Sequence, residues 1–188
     1  TEIDSSIEEN KEKKLSKLED NLKLSILINS YNAYMLKLIL AHMTKGIYSP
    51  AQIEGAWTKK RFKVKSGNLS LLIAGRQVTL DDIEKKYLTV FHEPRVHFAL
   101  VCGALSCPPL LNRAYNPSTL DKDLENQTRQ FLSKESNFSI DRKKMTITLS
   151  QIFEWYQADF SRYSQKTFFE FFGPYISSED RRWLDENI

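Results

Sequence analysis

Two cysteines and three histidines are all this chain offers of the side chains best suited to nucleophilic attack and proton transfer at neutral pH. Cys102 and Cys107 bracket Gly103-Ala104-Leu105-Ser106, and Cys107 runs directly into Pro108-Pro109. A permissive glycine and two prolines cannot continue a strand, so a tight loop must carry Cys107, held stiffly as a nucleophile requires. His97 interrupts the apolar run Val96-His97-Phe98-Ala99-Leu100-Val101-Cys102 shortly before that loop. A neighbouring imidazolium lowers a thiol pKa and raises the fraction of thiolate, the form that attacks an amide carbonyl. Strand and loop can thus bring His97 to Cys107. The same sulfurs have two other uses. A Cys102–Cys107 disulfide in an exported protein would remove Cys107 as nucleophile. Metal binding with His97 is the other, against which the spacing lacks paired C-x-x-C. His42, near the end of a long apolar helix, is explained by the helix dipole, and His92 sits in a polar connection.

A working imidazole needs an orienting acid or amide. Glu84, past the cap of a helix that ends shortly before His97, is the candidate acid, with Asp81, Asp82 or an asparagine as substitutes. Asn29 and Asn32 share one face of a buried helix, where an unpaired amide is costly; they either bond a neighbouring loop or serve as oxyanion donor or orienter. Arg95 suits bidentate grip on a substrate carboxylate. The run Lys59-Lys60-Arg61-Phe62-Lys63 reads as a solvated strand edge rather than a nucleic-acid groove.

The elements that must position these groups follow from periodicity. Apolar residues recur at helical intervals from Leu22 to Met43, interrupted by Lys23, Asn29, Asn32 and Lys37, which argues for a core helix and no transmembrane span. Ser49-Pro50 opens a short helix through Ala56. Arg61 to Val64 and Leu69 to Val78 read as short strands with turns at Ser66-Gly67-Asn68 and Gly75-Arg76. Thr79 with Asp82 makes a capping box for a helix over 80–88, and Arg95 to Cys102 is expected as a buried strand. A helix over about 118–133, a hairpin pairing 138–140 with 145–149, and helices around Trp155, Phe168–Phe172 and Arg181–Leu184 complete the chain. The expectation is α+β: a charged N-terminal helix or arm over 1–20, then one domain over 21–188, a small, mostly antiparallel sheet packed against several helices.

Composition agrees. With 188 residues, 41% apolar, 12% aromatic and only 6 Gly and 6 Pro, the chain is no disordered tail, collagen or coiled-coil rod. Net charge is +3, from 27 basic and 24 acidic side chains, too slight to demand nucleic acid. The chain starts at Thr1 and looks N-terminally trimmed, which favours an exported, periplasmic or extracellular site over the cytoplasm.

Taken together, Ile28-Asn29-Ser30-Tyr31-Asn32-Ala33, Thr79-Leu80-Asp81-Asp82-Ile83-Glu84, Pro94-Arg95-Val96-His97-Phe98-Ala99-Leu100-Val101-Cys102-Gly103 and Ser106-Cys107-Pro108-Pro109-Leu110 resemble the domain of unknown function 547 family. Ala114-Tyr115, Trp155-Tyr156 and Asp159-Phe160 extend the likeness to about residue 160. Its best-marked positions fall on Asn29, Asn32, Glu84, Arg95, His97, Cys102 and Cys107. The resemblance implies a fold distantly similar to papain-like and transglutaminase-like thiol hydrolases, acting on small γ-glutamyl or peptide amides such as glutathione. The expectation is then a thiol-dependent hydrolase or acyl transferase with a Cys107-His97-Glu84 triad. Asn29 or Asn32 would serve the oxyanion and Arg95 the substrate, with no metal or other cofactor. A non-catalytic binding or envelope-associated module, or a redox protein using Cys102 and Cys107, is the alternative. The partner is a small molecule or peptide; oligomeric state stays open.

Overall fold

The computed structural model describes residues 19–43, 45–64, 67–103, 107–163 and 168–188; the expected N-terminal arm lies almost wholly outside them. The fold is α+β, and its contacts gather into two compact units. The first takes in the described residues up to 91, with 102–103 and 113–120; the second holds 92–101, 107–112 and the described residues from 121 onward.

In the first unit, helix α1 (Asp20–Met43) buries Leu24, Leu27, Ile28, Tyr31, Met35 and Leu38, the helical stripe expected from the apolar spacing. By length and composition it also passes as a membrane span, with a mean hydropathy of 1.3, yet half of that stretch is buried inside the protein. Its last turn closes on His42, whose Nδ1 lies 2.8 Å from the Leu38 carbonyl and whose ring meets the edge of Phe62. His42 is structural.

Ser49 and Gln52 form a capping box, but only for the 3-10 turn Pro50–Gln52; the turn ends at Ile53, short of the expected Ala56. Strands β1 (Phe62–Val64) and β2 (Gly67–Leu69) pair antiparallel, as do β3 (Leu71–Ile73) and β4 (Arg76–Val78). The second hairpin turns on Ala74 and Gly75, both at positive φ, one residue earlier than the glycine signal alone suggests. Among the described residues these pairs remain separate two-stranded ribbons rather than one sheet.

Thr79 caps as expected, its Oγ1 accepting from the Asp82 amide while the Asp82 carboxylate accepts from the Thr79 amide. Helix α2 (Leu80–Asp82) then widens into a π-helix over Ile83–Leu88 and tightens to a 3-10 turn at Thr89–Phe91. A π segment is uncommon, and here it carries Glu84.

The second unit is built on aromatic packing. Helices α3 (Leu120–Leu132), α4 (Ile152–Trp155), α5 (Gln157–Tyr163), α6 (Phe168–Phe172) and α7 (Ser178–Asn187) accompany the ribbon of β5 (Phe138–Asp141) and β6 (Thr146–Leu149). Phe98, Phe131, Phe160 and Phe172 are wholly buried, and Phe98–Phe131 and Phe153–Phe172 centroids lie 4.8 Å apart. Such pairs each add about 0.5–1.5 kcal/mol beyond the area they bury.

The expected strand at 95–102 is absent: Pro94–Phe98 is a 3-10 helix. Pro94 presets φ at its first position, the Glu93 carboxylate accepts from the Arg95 amide, and Val96 and Ala99 donate to carbonyls three residues back. Within the turn these local bonds replace the pairing that a strand would need. Val96, His97, Phe98, Ala99 and Leu100 are all buried, so the run was apolar because the turn is sunk in protein, not because it alternates in a sheet.

Candidate functional site

His97 sits on that 3-10 turn with its side chain 3% exposed. Its Nε2–H donates to Asp159 Oδ2 at 3.0 Å, and its ring stacks on Tyr156 with centroids 3.7 Å apart and planes 19° off parallel. The geometry has a local cause. Tyr156 ends α4, its amide donating to the Ile152 carbonyl, and Asp159 follows in the first turn of α5, where a carboxylate suits the helix dipole. Phe160, fully buried in the aromatic core, anchors that turn and leaves Tyr156 and Asp159 to hold the imidazole. With Nε2 donating to the carboxylate, the neutral ring carries its lone pair on Nδ1. That nitrogen is buried and has no hydrogen-bond partner among the described residues. An unpaired buried acceptor beside a held, oriented ring is the arrangement of a general base awaiting a proton.

The loop of Cys107 is tied to the turn of His97 by one side chain. Gln127, 3% exposed on α3, donates from Nε2 to the Pro109 carbonyl at 2.7 Å and lies 3.5 Å from the Phe98 carbonyl. A single buried amide therefore holds the backbone just after His97 beside the backbone just after Cys107.

Cys107 itself is 7% exposed and, like Cys102, is disulfide-bonded rather than a free thiol. The expectation of a free Cys107 nucleophile is corrected to that extent, and Cys102 is likewise no free second thiol. The described residues contain no group of three or more His, Cys, Asp and Glu arranged to hold a metal.

The remaining expected site residues are engaged elsewhere. The acid on His97 is Asp159, not Glu84. Glu84, buried on the π-helix of the first unit, accepts a hydrogen bond from the Tyr31 hydroxyl, and that hydroxyl accepts from Trp57 Nε1 at 3.2 Å. Asn29 is committed in both directions, its Nδ2 donating to the Tyr115 carbonyl at 2.9 Å and its Oδ1 accepting from the Tyr115 amide at 2.8 Å. It clamps backbone rather than an oxyanion. Asn32 is buried on the same helix.

Arg95 is not an open clamp. Its Nε and one terminal nitrogen grip both oxygens of Glu93 at 2.7 and 2.6 Å, and the same terminal nitrogen reaches Asp121 at 2.7 Å. The Glu93 carboxylate holds the guanidinium still more firmly protonated than usual. Tyr34, whose buried hydroxyl has no hydrogen-bond partner among the described residues, has its pKa pushed up by burial and stays a neutral phenol.

Sequence reasoning missed Asp159, Tyr156 and Gln127 as parts of the site. Tyr156 and Asp159 stood in the quoted Trp155-Tyr156 and Asp159-Phe160 pairs. Gln127 left no local signal, being an ordinary polar residue within an amphipathic helix.

Fold and site define an α+β protein with a buried His97–Asp159 pair, its imidazole stacked on Tyr156, on a turn that Gln127 ties to the backbone at Pro109. Residues 15–132 match the family described as proteins of unknown function, DUF547, and the chain belongs to that family. The match covers His97, Cys102, Cys107 and Gln127 and stops short of Tyr156 and Asp159. No curated protein and no solved structure matches the chain.

Proposed function

We propose that the protein is a thiol-dependent hydrolase or acyl transferase acting on small amides, γ-glutamyl or peptide bonds, in the manner of papain-like and transglutaminase-like enzymes. The observation that carries this reading is the His97 ring held on Asp159 and Tyr156 with Nδ1 buried and unpartnered, on a turn that Gln127 ties to the Cys107 loop. In the reduced protein the Cys107 thiol passes its proton to His97 Nδ1, and the thiolate adds to the amide carbonyl carbon. Asp159 stabilises the imidazolium, which returns the proton to the leaving amine. Water or a second amine then attacks the thioester with His97 as base, freeing the thiolate. Tyr156 acts through His97, fixing its plane.

The test uses reduced protein and a panel of γ-glutamyl and peptidyl amides carrying a chromogenic amine. Wild type is expected to release amine and form an acyl adduct on Cys107, detectable by mass spectrometry, while Cys107→Ala does neither. Full turnover by Cys107→Ala on every substrate the wild type cleaves would overturn the proposal.

A further inference from the structure

We infer that the outward side of helix α1 docks the protein on an anionic lipid surface, lying along the boundary between headgroups and acyl chains without crossing it. The inference stands apart from the reading of His97 and Cys107.

A surface helix ordinarily buries one apolar side and offers water a polar one. The C-terminal half of α1 departs from that rule. Its inner side buries Met35, Leu38 and His42, while Leu36, Leu40 and Met43, spaced four and three residues apart, share the outer side and are 37%, 62% and 41% exposed. Tyr48, shortly beyond the helix, is 66% exposed. A helix apolar on both sides belongs in a core or at a membrane, and here protein covers only one side. By length and composition α1 passes as a membrane span, yet half of that stretch is buried inside the protein, which leaves only the outer side for lipid.

Charge selects the occupant. From residue 21 to residue 53 the chain has no Asp or Glu. Lys37, three residues before Leu40 on the same side, is exposed, and exposed Lys45 follows the helix end. A second copy seated on this side would set ammonium against ammonium with no carboxylate from the segment between them. An anionic bilayer complements it. Leucine and methionine enter the acyl boundary, the lysine stems lie along apolar surface while their charges reach lipid phosphates, and tyrosine rests its ring at headgroup depth with its hydroxyl toward water.

The experiment sediments the full chain with vesicles of phosphatidylcholine alone, or of phosphatidylcholine and phosphatidylglycerol in equal parts, at low and high salt. Wild type is expected to bind the anionic vesicles, less at high salt and far less to phosphatidylcholine alone. Leu40→Glu is expected to lower binding by about tenfold or more, the scale of one leucine withheld from an apolar phase. The pair Lys37→Gln and Lys45→Gln is expected to lower it about tenfold on anionic vesicles only. Leu72→Glu, the same change at a leucine 57% exposed on β3, is expected to keep most of the binding. Urea unfolding checks each variant, and should Leu40→Glu fold poorly, the lysine pair decides. No binding to anionic vesicles, equal losses in Leu40→Glu and Leu72→Glu, or undiminished binding by the lysine pair would overturn the inference. Self-association that Leu40→Glu abolishes, with no lipid bound, would assign the side to a second copy instead.

Discussion

The polar cluster around Glu84 in the first unit and the one around His97 in the second are built from the same kinds of group and finished differently. Tyr31 donates to Glu84 while accepting from Trp57, and on the same helix Asn29 exchanges two hydrogen bonds with the Tyr115 backbone. Those clusters are closed, as buried polar groups in a stable interior usually are. His97 is secured on one nitrogen and one ring face, while its other nitrogen has no hydrogen-bond partner among the described residues. An open acceptor costs stability, and it is the feature on which the proposed general-base role rests. On the proposed reading, the difference separates polar groups that hold the protein together from one that serves a reaction.

The largest effects expected would break this comparison outright. His97→Gln and Asp159→Asn are each expected to lower kcat on any amide substrate by about 10²–10⁴-fold, the span of a lost or misoriented general base, with little loss of stability in urea. The reduced Cys107 thiol is expected to titrate below the free value of about 8.5, and His97→Gln to return it there, read from the pH dependence of alkylation. Unfolding of His97→Gln would place that cluster with the closed ones.

Glu84→Ala is expected to do the reverse. It should cost about 1.5–3 kcal/mol of unfolding free energy as the Tyr31 hydroxyl loses the carboxylate to which it donates, with kcat of the folded fraction retained. Smaller again is Asn29→Ala, expected to lose about 1–2 kcal/mol as the Tyr115 amide and carbonyl lose their partner. A collapse of turnover in either variant with its stability intact would move that side chain into the reaction.

The smallest effect concerns the cap that starts the Glu84 helix. The Lys86 ammonium, together with the Thr79 amide, holds the Asp82 carboxyl at about 2 against an ordinary 3.8. A depressed folded pKa means that the native state resists protonation, so the contribution of Asp82 to stability is complete above about pH 4 and lost as pH falls toward 2. Asp82→Asn is expected to lower stability at neutral pH and flatten the acid limb across that window, measured by urea unfolding at each pH.

Local chemistry was legible in advance where it suffices to decide structure. The Thr79–Asp82 box, the Ser49 cap, the long helix and the 138–149 hairpin each depend on residues within a few positions of one another. The 95–102 segment was legible only in part, because a continuous apolar run marks burial without distinguishing a strand from a sunken turn. Pro94 and the Glu93 cap settle that question locally.

The site divides along the same line. His97 and the cystine loop could be singled out because histidine, cysteine, glycine and tandem proline are uncommon and mean something wherever they stand. The chain by itself determined which groups are chemically capable and that two sulfurs lay close enough in sequence to bond. Only the tertiary structure decided that Asp159, 62 residues away, rather than Glu84 orients the imidazole, that Glu93 occupies Arg95, and that Gln127 joins the turn of His97 to the loop of Cys107. The physical reason is that one carboxylate or amide is much like another in sequence, and its role is set by which partner packing brings within about 3 Å.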